Sequence, residues 1–333
     1  MNRILILICL IISSLTVLYS CSKSDSSNNT PVTPTVNPDT LTTGWSKISI
    51  AGTSSDIRLN DVFFSNASTG YTLGDSTCYK STNGGVSWSK LTPLINYGTN
   101  LAVTNDGKLF IVSSNTIYRS SDAGVSFSNI ANGPGAFSDI FFIDNNNGYT
   151  VTSTGLQQST DAGVTWPLVY PVTGLTISHG YKTCFFLNST TGWIGTGIDI
   201  YKTNGNINSW TKSSFIGMSP TAASLSIFAI SSTVVYAGCS DGNVFKSIDG
   251  GTSFSLLASF PAYGDKNYLD LCFIDANTGY ACYSNRIYKT SDGGNTWLKV
   301  VALGNSFFVE IHFIDANNGW GCTTKGEILR FHK

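Results

Sequence analysis

Few side chains in this 333-residue chain could make or break bonds. Glutamate occurs only at Glu310 and Glu327, histidine at His179, His312 and His332, and arginine beyond residue 21 at Arg58, Arg119, Arg286 and Arg330. The histidines stand singly, without metal spacing. Six cysteines follow Cys21: Cys78, Cys184, Cys239, Cys272, Cys282 and Cys322. None forms a Cys-x-x-Cys pair, which argues against zinc and for small buried core residues. No nucleophile elbow, phosphate-binding glycine loop or Cys–His dyad is present. Aspartates are more numerous, but most sit in recurring turn phrases: Asp122, Asp161, Asp249 and Asp292 in one, Asp144, Asp275 and Asp315 in another. Catalysis needs convergent charged groups, so the chain is expected to be no enzyme and to need no cofactor or metal. A net charge of −1 with 12% charged residues gives no basic footprint for nucleic acid.

The elements that carry these turns repeat. One phrase reads Ser81-Thr-Asn-Gly-Gly-Val-Ser-Trp88 and returns at Ser120–Phe127, Ser159–Trp166, Ser247–Phe254 and Thr290–Trp297, with a looser copy from Lys202 to Trp210. Its acceptors are Asn83, Asp122, Asp161, Asn204, Asp249 and Asp292; its aromatic anchors are Trp88, Phe127, Trp166, Trp210, Phe254 and Trp297. The Asp or Asn side chain closes a turn, the glycines permit positive φ, and the aromatic packs over the hairpin base. A second phrase lies upstream, as in Phe141-Phe-Ile-Asp-Asn-Asn-Asn-Gly-Tyr149 and Phe313-Ile-Asp-Ala-Asn-Asn-Gly-Trp320. Apolar run, Asx/Gly cluster, then aromatic reads as strand, turn, strand. Each unit therefore holds four short strands, and such units are the blades of a β-propeller. The second and fifth units, Leu101–Phe110 and Ile227–Tyr236, lack the Gly-aromatic pair.

Six units are complete. A seventh starts at Phe313 and stops at Lys333 before its fourth strand, while Gly44-Trp45-Ser-Lys-Ile-Ser-Ile50 looks like an orphan fourth strand. The expectation is a single all-β, seven-bladed propeller of four-stranded blades over residues 44–333, about 41 residues per blade, its ring closed by the N-terminal strand.

The Ser-x-Asp-x-Gly-x-x-Trp phrase resembles the Asp-box, or bacterial neuraminidase repeat. Together with Phe-Ile-Asp-Ala-Asn-x-Gly-Tyr/Trp it is similar to the photosystem II assembly and stability factor propellers and their non-photosynthetic bacterial relatives. The resemblance spans residues 44–333 and implies a binding scaffold. Asp-box propellers also include sialidases, which use three arginines, a Tyr–Glu pair and an Arg-Ile-Pro phrase. That phrase is missing here, and Arg119, Arg286 and Arg330, in or beside one equivalent slot, read as surface strand positions. Xyloglucanases place paired carboxylates in a cleft between two propellers, and this chain has one. The Asp-Ala-Asn-x-Gly loops, which could offer calcium oxygens, read instead as Asx turns.

Residues 1–20 read as a signal peptide: a basic start, then an apolar run too short to span a bilayer. Leu18-Tyr-Ser-Cys21 resembles the bacterial lipoprotein box, with Cys21 the lipidated residue and Ser22 favouring the outer membrane. Residues 21–43, rich in Ser, Asn, Thr and Pro, read as a disordered tether. The exported protein would be a lipid-anchored monomer. Its candidate binding face is the loop side, with Tyr97, Tyr170, His179, Tyr181, Phe215, Met218, Phe260, Tyr263 and Tyr268. The expected ligand is a protein partner in the envelope; a glycan is the alternative. If Ile274 faces Tyr280 across its turn, Cys272 faces Cys282, and an exported compartment would permit that disulfide.

Overall fold

The computed structural model describes residues 39–50, 57–92, 98–132, 136–171, 181–197, 199–203, 205–216, 224–263 and 268–333. They form seven sheets, antiparallel except for one added strand on the fifth. The inner strands, nearest the axis, are Leu59–Phe64, Gly98–Val103, Phe137–Phe142, Tyr181–Asn188, Ser224–Ala229, Leu269–Phe273 and Phe308–Phe313. Each inner strand packs against the next, and the last packs against the first. The ring is closed as the orphan strand implied. Trp45–Ser49 runs antiparallel to Glu327–His332, pairing Trp45 with Phe331 and Ser49 with Glu327. Trp45 is buried against Tyr280, Phe313 and Phe331. The pairing covers the edge that Glu327–His332 would otherwise leave open.

Every letter of the upstream phrase has a place. In Phe141-Phe142-Ile143-Asp144 the first Phe faces the axis and the second enters the interface with the preceding blade. There it stacks on that blade's second-strand aromatic: Phe142 on Phe110 (4.3 Å), Phe186 on Tyr149 (3.7 Å), Phe273 on Tyr236 (4.1 Å), Phe313 on Tyr280 (3.8 Å) and, across the closure, Phe64 on Trp320 (3.5 Å). The two divergent units break the pattern. Val103 and Ala229 stand in the ring's place, in the clusters of Tyr71 and Trp193. The glycine before the aromatic leaves room for the stacked ring. A Cβ on Gly192 or Gly319 would lie 2.2 Å from Phe186 or Phe313. Asp275 Oδ1 accepts the N–H of Asn277 and Thr278, each at 2.8 Å, and Asp144 and Asp315 do the same in their turns, so these are Asx turns as expected.

Three expectations need correction. Residues 39–43, assigned to the tether, belong to the propeller. Thr40–Leu41 pairs with Leu298–Ala302 as a fifth strand on the sixth blade, because Leu41 has apolar surface to lay against the adjoining core. Residues 1–38, which carry the expected signal peptide, Cys21 and the rest of the expected tether, lie outside the described residues. Second, Cys272 pairs with Tyr280 and Cys282 with Asp270. The turn closes through Ile274 N–H to Thr278 O (2.9 Å), two residues tighter than the register a disulfide would need. All six described cysteines are free and buried. Third, Phe215 is not on the loop side. It lies in Ser214–Ile216, a parallel fifth strand on the outer edge of the fifth blade, packed on Phe245 and Phe254.

Candidate functional site

The turn side is built from the recurrent phrase. In the second blade Ser120 Oγ donates to Asp122 Oδ1 (2.7 Å) and accepts Gly124 N–H (2.7 Å), while Asp122 accepts the N–H and hydroxyl of Ser126. Asn83, Asp161, Asp249 and Asp292 repeat this geometry; Asn204 lies outside the described residues. These hydrogen bonds hold Asp122, Asp161 and Asp292 near 2, and Asp249 is held there likewise against the opposing pull of its partial burial. The indoles of Trp88, Trp166 and Trp210 each donate to a carbonyl three residues back. Phe254 is fully buried and Trp297 and Phe127 pack against blade cores.

The same turns join neighbouring blades. The carbonyl at the phrase's fourth position accepts a cation from the preceding blade: Lys80 to Ala123 (3.1 Å), Arg119 to Ala162 (3.2 Å), Lys246 to Gly293 (3.1 Å) and Arg330 to Gly84 (2.8 Å). Two of the three arginines read as surface positions are thus bridges between blades. Arg286 is elsewhere, at the other end of its strand, with its guanidinium 5.0 Å from the Tyr263 ring.

On the loop side the nine candidates disperse. Tyr97, His179 and Met218 lie outside the described residues. Tyr170 and Tyr181 are placed by register, opposite Leu156 and Thr196. Phe260 is a correction: it is 6% exposed and stacks on Tyr288 at 4.3 Å, closing the core of the sixth blade. Tyr263, 44% exposed, remains on the surface. Tyr268 lines the channel mouth, and the guanidinium of Arg58 lies 5.0 Å from its ring.

The sequence reading missed what lies below that mouth. The inner strands surround a cavity of about 430 Å³. At one equivalent position they present Asp61, Asn100, Asp139, Thr183, Ser226, Asp270 and Glu310, in most blades just after a bulge that turns the side chain. Five of these side chains fasten a blade to the next. Asp61 accepts Leu101 N–H (2.6 Å), Asn100 accepts Ile140 N–H (3.2 Å), Asp139 accepts Cys184 N–H (2.8 Å), Ser226 accepts Leu271 N–H (3.2 Å) and Asp270 accepts Ile311 N–H (3.0 Å). Glu310 accepts none.

Burial dominates their electrostatics. It raises Asp61 to about 8, Asp139 and Asp270 to about 6, and Glu310 well above the usual range, with mutual repulsion adding to it. Asp61 is 2% exposed, whereas Asp139, Asp270 and Glu310 keep some surface on the channel. Two residues along each strand lies a collar of Phe63, Phe141, Phe185 and Phe228, with Ala102, Cys272 and His312 completing the circle. Phe141, Phe185 and Phe228 follow one another at 5.2 Å. His312, part-buried at the channel wall and bonded through Nε2 to Phe64 O (3.1 Å), is pushed down to about 4 by desolvation. A signal was present in the sequence: a polar residue stands three before the interface position of every inner strand, that is, before Phe64, Val103, Phe142, Phe186, Ala229, Phe273 and Phe313.

Neither a protein-family model nor a curated protein matches the sequence. Solved structures match the fold. YCF48 bound to D1 peptide is similar at a TM-score of 0.70 and 17% identity, covering 89% of this chain and 99% of its own. YCF48 from Cyanidioschyzon merolae follows at 0.68 and 16%, covering 87% and 98%. The WD40 propeller domain of Doa1 reaches 0.67 at 10% identity, covering 88% and 98%. The chain folds as a seven-bladed propeller similar to those of YCF48 and of the WD40 domain of Doa1.

Proposed function

We propose that this protein is a non-catalytic cell-envelope propeller that holds a protein partner on its loop side and channel mouth. The observation that carries the reading is the use made of the channel acids. Asp61, Asp139 and Asp270 each accept a backbone N–H of the next blade, so they serve as fasteners. Glycoside hydrolysis calls for a free pair of carboxyls at defined separation, and Glu310 alone lacks such a duty. Exposed Tyr263 beside Arg286 is the kind of aromatic–arginine surface that anchors partners. That YCF48 is solved with a peptide bound supports a peptide or protein as the ligand class.

The turn geometry supports membership of the Asp-box group. The Leu18-Tyr-Ser-Cys21 box supports a lipid on Cys21 and export to the outer membrane, the segment before residue 39 serving as the tether. Photo-crosslinking from positions 263 and 268 is the test. One partner captured from both positions, and lost from each when the other is changed to alanine, supports the reading. Turnover of sialosides or β-glucans abolished by Asp270→Asn, with the fold retained, would overturn it.

A further inference from the structure

The central channel has a chemistry that partner binding at the mouth does not use. Asp61, Asp139, Asp270 and Glu310 face one cavity, and its lining contains no lysine or arginine. Arg58 lies at the mouth on Tyr268. The ion pairs among the described residues all lie elsewhere. His312 stays neutral over the physiological range, being held near 4. Glu310 is a part-buried carboxylate that keeps some surface on the channel, accepts no hydrogen bond from the described residues, and has Asp61, Asp270 and Asp139 as its charged neighbours. Such a group is costly to leave ionised and unpaired. A proton or a cation would offset that cost.

The spacing decides which cation. Among the described residues no three His, Cys, Asp or Glu converge closely enough to hold a metal ion, because the acids arrive one per blade. A larger cation that carries several N–H donors can reach separated carboxylates at once. Its apolar part would meet the Phe63, Phe141, Phe185 and Phe228 collar, where aromatic faces attract positive charge within about 6 Å. About 430 Å³ is room for a short alkyl amine or for one lysine or arginine side chain.

We propose that the channel is a binding site for an organic ammonium or guanidinium cation, with Glu310 as its counter-ion and the phenylalanine collar as its aromatic wall. The cation is either a free amine or the side chain of a protein partner. The proposal stands apart from partner binding at the mouth, since a small amine would bind with or without a partner. Entry of the cation displaces protons held by Glu310 and its neighbours, so affinity rises with pH as Asp139 and Asp270, then Asp61, lose theirs.

Calorimetric titration of the purified full chain with butylammonium, butylguanidinium and uncharged butanol tests it. Both cations should bind with release of protons, read from the dependence of the heat on buffer ionisation. Butanol should bind about tenfold more weakly or worse. Glu310→Gln should weaken the cations about tenfold and leave butanol unchanged, and it should melt no lower than the parent, having lost an unpaired charge. If that variant fails to fold, a rise in the parent's melting temperature with butylammonium but not butanol takes its place. Equal affinity for butanol and butylammonium, full competition by potassium or magnesium, or unchanged cation affinity in folded Glu310→Gln would overturn the site, as would no binding at all. A short peptide with one lysine separates the sources. Binding equal to the free amine assigns a partner's side chain; binding of the amine alone assigns a small molecule.

Discussion

Carboxylates occupy two regions of this propeller and behave in opposite ways. On the turn side Asp122, Asp161, Asp249 and Asp292 accept several N–H and O–H donors from within their own eight residues and are held near 2. In the channel Asp61, Asp139 and Asp270 accept a donor from the next blade, lie deep in the ring, and are raised to about 8, 6 and 6. The residue type is the same. Hydrogen bonds to the charged form outweigh desolvation where solvent is near, and desolvation outweighs them inside the ring. One region depends on local sequence, and the other depends on seven blades being present at once.

The comparison breaks most visibly if the ring is opened. Deleting residues 39–49 removes the strand that closes the last blade, along with the buried Trp45, but leaves every turn phrase intact. The melting temperature should fall by about 10 °C or more. In the opened ring the channel acids should titrate nearer ordinary values while the turn aspartates stay near 2. Calorimetry and carboxyl NMR titration check both halves; an unchanged melting point would mean that closure contributes little.

A smaller loss follows from one channel acid. Asp61→Ala leaves Leu101 N–H buried without its acceptor, costing about 1–3 kcal/mol in urea unfolding. Asp61→Asn keeps an acceptor and should cost less.

The pH profile sharpens the contrast. A group raised in the folded state gives stability that is complete below its unfolded value and lost as pH rises through the folded one. The channel acids therefore lose stability from about pH 4 up to about 8. The turn aspartates, lowered from 3.8 to about 2, give stability present above 3.8 and lost as pH falls toward 2. His312, lowered from 6.5 to about 4, opposes the channel acids over that interval. Stability should therefore peak on the acid side of neutrality. Asp61→Asn should flatten the alkaline limb alone, and Asp161→Asn the acid limb alone, in melting temperatures across pH. Movement of both limbs by either substitution would erase the distinction.

The smallest effect concerns backbone strain in the turns. Ala123 and Ala162 hold φ of 56° and 60° where other copies have glycine. Ala162→Gly should stabilise by about 0.5–1 kcal/mol without touching the channel. A loss would mean that the alanine methyl matters more than its strain.

Much of the fold was legible because its causes are short-range. An Asx turn is closed by donors two or three residues on, so Asp275-Ala-Asn-Thr-Gly announces a turn without reference to the rest of the chain. The aromatic after it announces an interface, since the glycine admits its own blade's phenylalanine and the aromatic receives the ring of the next blade. Blade count and closure followed by counting phrases and noticing Trp45 without its repeat. The loop-side candidates fared less evenly for a matching reason. Phe260 and Phe215 were read from residue type in connecting segments, and type alone does not say whether a ring points outward or into the adjoining blade. The register at Cys272 was likewise beyond the letters, because one tighter turn shifts every pair after it.

The sequence by itself determined the turns, the strands, the number of blades and the strand that closes the ring, because each depends on hydrogen bonds and packing within one repeat or on their count. Only the tertiary structure decided that the polar letters at 61, 139, 270 and 310 meet around one axis. Residues spaced by a whole blade become neighbours through ring closure, and their protonation follows from a low-dielectric interior that no single repeat contains.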